Sequence, residues 1–263
     1  MGHERVGLLP STKRWQAVVT GIAAFSGGND TTASLASKTM RNVASQFVAM
    51  QHDGGVIDSF SCLLLLVEAS KKSDPITYLA GVGLPLSPQF SSLELARALK
   101  QHMQGNEANR EYSAFASQAL IDTVRQWTQQ QQSQQLLAFS GSTDAFDPWR
   151  KAANPGGFSE LSHLFFGSFL SRYLNYFLER EASARITTMV DREIFSTRLE
   201  AHSREITASA LDTAKVTQSF AAGWYASHAK KQLPTKAVVE KFLDYALTKL
   251  SKTLIYNDQV ERR

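Results

Sequence analysis

Between positions 158 and 178 the chain carries Phe158, Leu161, Phe165, Phe166, Phe169, Leu170, Tyr173, Tyr176 and Phe177. At 100° per residue, Phe158, Leu161, Phe165, Phe169, Tyr173 and Tyr176 share one face of a helix. Phe166, Leu170 and Phe177 widen that face until the helix is apolar nearly all round. Such a helix cannot lie on a surface, so the segment of about 158–182 predicts a rod that other helices must enclose. Glu160, His163 and Arg172 interrupt the apolar run, which therefore falls short of the ~20 apolar residues that span a bilayer. Arg172 and Glu179 fall near its core face, where charges need partners, and the two are expected to enter an ion network.

The helical period recurs along the rest of the chain. After Asp30-Thr31-Thr32, the residues Leu35, Val43 and Phe47, with small Thr39, repeat at three- and four-residue spacing. Asp53-Gly54-Gly55 breaks that helix, and Val56–Ser70 begins another. Residues 71–90, with Pro75, Pro85 and Pro88, read as irregular. Ser91-x-x-Glu94 reads as a capping box, and Gly105 closes the helix that follows. A polar helix is expected over about 109–137, on a stripe of Tyr112, Phe115, Ala119, Val124 and Trp127, with a glutamine-rich end. Phe195, Leu199, Ile206, Val216, Phe220 and Trp224 share a face over 193–230. Leu233-Pro234-Thr235 then restarts the chain into a last helix, about 236–255. With no alternating strand pattern and no fixed repeat, the expected fold is all-α, an irregular multi-helix bundle.

Ser140–Gly157 is rich in turn formers and reads as a linker. It would join an N-terminal helical lobe, 1–139, to a C-terminal lobe, 158–263, packed against it. Phe146 and Trp149 are expected to stand exposed there, as aromatic anchors for a partner.

Several chemistries are excluded by residue inventory. A single cysteine, Cys62, permits neither an internal disulfide nor a cysteine zinc cluster, and its apolar neighbours mark it as a buried hydrophobe. No two of the six histidines lie one helical turn apart, so no metal site is expected. No phosphate-cradling glycine loop with its lysine occurs, and Gly81-Val82-Gly83 has Leu86 where a dinucleotide fingerprint needs its third glycine. No Gly-x-Ser-x-Gly elbow occurs either, and no cofactor is expected. The apolar stretch 17–25 is short and runs into Gly27-Gly28-Asn29-Asp30, unlike a secretory signal. The expected compartment is the cytoplasm, with no membrane role.

Two catalytic candidates remain. Arg97 and His102 have the Arg–gap–His spacing used by small helical ribonucleases of the HEPN class, in which imidazole shuttles a proton and guanidinium meets phosphate charge. The arginine and histidine content alone produces such a spacing by chance, and Ala98 stands where that class usually has a polar residue. His202 falls on the apolar stripe with Phe195, Leu199 and Ile206, near Arg198 and Glu205, so it reads as a core histidine or as a proton-transfer group in a cleft. Neither completes a catalytic set, which favours a binding protein over an enzyme.

Charge supplies the binding candidate. Residues 1–150 hold 12 basic and 12 acidic side chains, whereas 151–263 hold 16 and 12. Within 215–252, seven lysines face only Glu240 and Asp244. Lys241, Tyr245, Lys249 and Lys252 fall on one stripe of the last helix, opposite its apolar face. Lysines neutralise phosphates and an exposed tyrosine stacks on bases, so the stripe suits nucleic acid, or an acidic groove on a partner.

Gly7-Leu8-Leu9-Pro10-Ser11-x-x-x-Trp15, the run from Phe158 to Glu181 and Phe220-Ala221-x-Gly223-Trp224 resemble a group of all-helical bacterial proteins of about this length with no assigned activity. The resemblance implies a bacterial protein acting with neighbouring gene products, such as a subunit in phage defence. The expected function is a non-catalytic scaffold or adaptor that binds other protein subunits. The alternative is a helical nucleic-acid-binding protein or HEPN-like ribonuclease that uses the basic last helix.

Overall fold

A computed structural model describes Pro10 and residues 12–25, 29–104, 110–137, 144–211 and 220–260. Among these residues the fold is all-α, an irregular bundle without a strand. Gly7 to Leu9, Ser11, Gly105, Gly141, Lys215 and Val216 lie outside the described residues.

Several helices begin where a side chain can take the amides that a first turn leaves unpaired. Thr12 Oγ1 accepts from Trp15 N at 3.1 Å and opens α1 (Lys13–Ala23), which buries Trp15, Val18 and Ile22. The next helix, α2 (Asn29–Ala49), runs into one 3-10 turn, Met50–His52. Asp53 caps α3 (Gly54–Ala69), accepting from Gly55 N at 2.9 Å and Val56 N at 3.1 Å. The break at Asp53-Gly54-Gly55 is thus also a start.

Residues 71–90 are not wholly irregular. Pro75 sits in the first turn of α4 (Pro75–Gly81), where its missing N–H costs nothing, and Asp74 caps it through Thr77 N at 3.0 Å. Ser91 caps α5 (Ser92–Gln104) through Glu94 N at 3.1 Å. The Glu94 carboxylate accepts from Ser87 N at 2.9 Å and Ser87 Oγ at 3.0 Å and, more weakly, from the Ser91 amide as the box expects, which together hold it below the ordinary carboxylate range. α6 follows over Arg110–Leu137.

Within the expected linker, 147–152 and 155–157 are helical. Asp144 accepts from Phe146 N at 2.9 Å, and Pro148 helps start α7 (Asp147–Ala152). Asn154 then caps α8 (Pro155–Arg185) through Gly157 N at 3.1 Å. Gly157 is required by packing, because a Cβ there would overlap the Lys151 carbonyl oxygen at the α7–α8 junction.

α8 is the buried rod. Its side chains from Phe158 to Leu178 are covered nearly all round, and α1, α2, α6, α7 and α9 (Met189–Leu211) pack against it. Serines on its surface return their hydroxyls to the helix itself, as Ser162 Oγ does to Phe158 O at 2.8 Å, so they can be buried. The expected helix over 193–230 is described as α9 and α10 (Phe220–Trp224), with 212–219 outside the described residues. α10 also packs on α8 and passes into one π turn, Tyr225–Ala229. Lys71 Nζ closes that turn by donating to Ala229 O at 3.3 Å and Lys230 O at 3.2 Å.

The last helix, α11 (Lys236–Val260), packs against α2, α3 and α9. Together with the α6–α8 contact, this joins the stretches on either side of 140–157 in one continuous core. Arg172 pairs with Asp122 of α6, its Nε lying 2.9 Å from Asp122 Oδ2, whereas Glu179 stands exposed and is not in that pair. No helix among the described residues is long and apolar enough to cross a membrane.

Candidate functional site

The outer face of α11 is the described surface that best joins charge with ring area. On its inner face Val239, Phe242, Leu243, Ala246, Leu247, Leu250 and Leu254 are buried. Phe242 anchors the helix, with ring centroids 5.1 Å from Phe60, 4.5 Å from Trp224 and 5.2 Å from Phe220. Phe220 links interior to exterior: it stacks on Phe242 on one side and on Tyr245 at 3.9 Å, 26° between planes, on the other. Tyr245 is nevertheless 45% exposed.

Lys241, Tyr245, Lys249 and Lys252 fall within 80° of arc at helical spacing, as their sequence positions require. The structure adds Tyr256, which lies on the same arc and is 63% exposed. From Lys241 to Tyr256 the stripe is about 22 Å long at 1.5 Å per residue. Lys241 and Lys252 are exposed and Lys249 is half-buried. Among the described residues none of these three lysines is in an ion pair, whereas Lys236 on the same helix pairs with Asp58 at 2.6 Å. Glu240 points away from the stripe and meets His52 Nδ1 at 2.5 Å, while Asp244 flanks it. The sequence signal for Tyr256 was its position eleven residues after Tyr245, and only the end of the predicted helix at 255 hid it.

The catalytic candidates do not converge. Arg97 and His102 lie about 140° apart around α5. Arg97 is exposed, while His102 Nδ1 sits 3.1 Å from Gly83 O and holds the turn after α4. Gly83 has φ +83, a left-handed conformation suited to glycine, so this histidine docks on a tight turn. His202 is half-buried on α9, 3.9 Å from Glu205 Oε2 on the same helix.

Phe146 and Trp149 are not the exposed anchors that the linker reading expected. Both are buried, Phe146 edge-on to Phe90 at 5.1 Å, and Trp127 Nε1 donates to Pro148 O at 2.9 Å beside them. Phe146, which immediately precedes α7, and Trp149, three residues on, both turn into the core. Cys62 is also buried, and desolvation pushes its thiol up to about 12, far from a reactive thiolate. Among the described residues no group of three His, Cys, Asp or Glu side chains could hold a metal ion. No family model matches the chain, and neither a curated protein nor a solved structure does.

Proposed function

We propose that this protein is a non-catalytic helical binding module that holds single-stranded nucleic acid along the outer face of α11. The observation that carries the reading is Tyr245, stacked on Phe220 between lysines that have no ion-pair partner among the described residues. A ring already held flat loses little freedom when a base stacks on it, and its exposed area remains for that contact. Lys241, Lys249 and Lys252 supply the sequence-independent attraction to phosphates. Arginine, the usual reader of guanine edges, is absent from the stripe, so binding is tolerant of sequence.

Fluorescence anisotropy with labelled oligo(dT) and oligo(U) tests the proposal. Binding should weaken with salt at a slope of roughly −0.7 per engaged lysine, about −2 for three. K241E with K249E should remove most of the binding and flatten that slope. Y245A should cost about 1–3 kcal/mol with the slope unchanged. Salt-independent binding, or unchanged binding by the lysine variant, would refute it.

A protein-adaptor role has its own support at the start of α9, where Met189 is 81% and Val190 66% exposed. Adjacent exposed apolar side chains suit a protein partner. Substituting both by serine should release such a partner in co-purification while leaving oligonucleotide binding intact.

A further inference from the structure

A second exposed ring is held in the same way as Tyr245. Tyr245 stacks on Phe220, and His228 stacks on Trp224 with ring centroids 5.6 Å apart and 19° between planes. Both backing rings rest against Phe242, Phe220 at 5.2 Å and Trp224 at 4.5 Å. Phe220, Trp224 and His228 follow at four-residue spacing, so they climb one face of α10 and the π turn. Trp224 is buried, whereas His228 is exposed, and its Nδ1 lies 3.1 Å from Trp224 O. The imidazole is thus fixed against its backing ring, with area left for a further contact.

Positive charge accompanies this ring too. Lys230 and Lys231 follow it closely, both exposed and, among the described residues, in no ion pair. From 213 to 239 the chain has no Asp or Glu. Lys71 Nζ fixes the turn through the carbonyls of Ala229 and Lys230, and its partner Glu68 is also engaged by Lys72. Short π segments recur at functional sites. Resting on the reading of α11 as a strand-binding face, we propose that the same single strand continues from Tyr245 onto the π turn. There one base stacks on His228, and Lys230 and Lys231 meet the phosphates. At 1.5 Å per residue His228 lies about 12 Å along from Phe220, which backs Tyr245. Successive bases of a stacked strand are about 3.4 Å apart, so the two rings serve non-adjacent bases. An acidic peptide would use the lysines but not the ring faces, and two rings held flat favour bases.

Fluorescence anisotropy of the whole chain with a labelled oligo(dT) dodecamer tests the path. H228A should weaken binding about 5- to 150-fold, and H228F, which keeps a ring, should restore most of it. Two further lysines take the native salt slope from about −2 to about −3.5, and K230E with K231E should return it to about −2. A second measurement needs no substitution. In ¹H–¹³C NMR the His228 ring protons should move upfield on saturation with the dodecamer, as protons beneath a base do, and stay in place with oligo-glutamate. Failure of the native chain to bind the dodecamer overturns the proposal for α11 and this path with it. Binding that Y245A weakens but H228A and K230E with K231E leave unchanged overturns the path alone. So does an equal His228 shift with oligo-glutamate, or none with the bound dodecamer.

Discussion

Trp149 is 1% exposed although the residues around it read as loop. At the residue scale, that burial gives W149A a cost of about 3–5 kcal/mol, measured as a lower urea midpoint. An exposed anchor would lose almost nothing on the same change, so the measurement separates core from surface. Two glycines make an opposed pair. At Gly157 a Cβ meets the Lys151 backbone, while at Gly81, in the last turn of α4, nothing lies within 4 Å. G157A should therefore destabilise by about 1–3 kcal/mol through overpacking, and G81A should stabilise by about 0.4–1 kcal/mol by restricting the unfolded chain. Thermal unfolding of the two variants beside the native chain checks both signs.

At the element scale, the π turn after α10 depends on a charge cluster at the end of α3. Glu68 is buried and pairs with Lys71 and with Lys72, the latter at 2.6 Å. Burial alone would push its carboxyl up, but the hydrogen bonds from the two lysines outweigh that and hold it below the ordinary carboxylate range. A carboxyl depressed by folding adds stability above its unfolded value, and that stability is lost as pH falls through the folded value. The difference in urea midpoint between the native chain and E68Q should thus be full at neutral pH and shrink below about pH 4. Lys71 also supplies the donor for the carbonyls of Ala229 and Lys230. K71M should therefore speed hydrogen exchange across 225–230 more than elsewhere.

For the whole molecule, α11 packs on α2 and α3 while α8 packs on α6, so segments from both ends of the chain share one core. We expect a single cooperative unfolding transition, with calorimetric and spectroscopic midpoints coinciding. Two separated transitions would instead support the reading of two lobes about 140–157. Much of this architecture was legible beforehand. The apolar circumference of α8, the stripe of α2, the restart after Pro234 and the lysine stripe of α11 are local patterns, read at 100° per residue. The helical nature of 75–81 and 147–152 was missed because turn-forming prolines also open helices, and Asp74, which caps the first of them, is a common loop residue.

Periodicity along the chain determined that this protein is helical, which faces are apolar and which helix must be central, because those properties depend on neighbours within a few residues. Tertiary packing alone decided that Phe146 and Trp149 point inward, that His102 rests on Gly83, that Phe220 pins Tyr245 and that Arg172 meets Asp122. Each of those contacts joins residues or elements whose meeting depends on how whole helices cross, and local spacing carries no information about that.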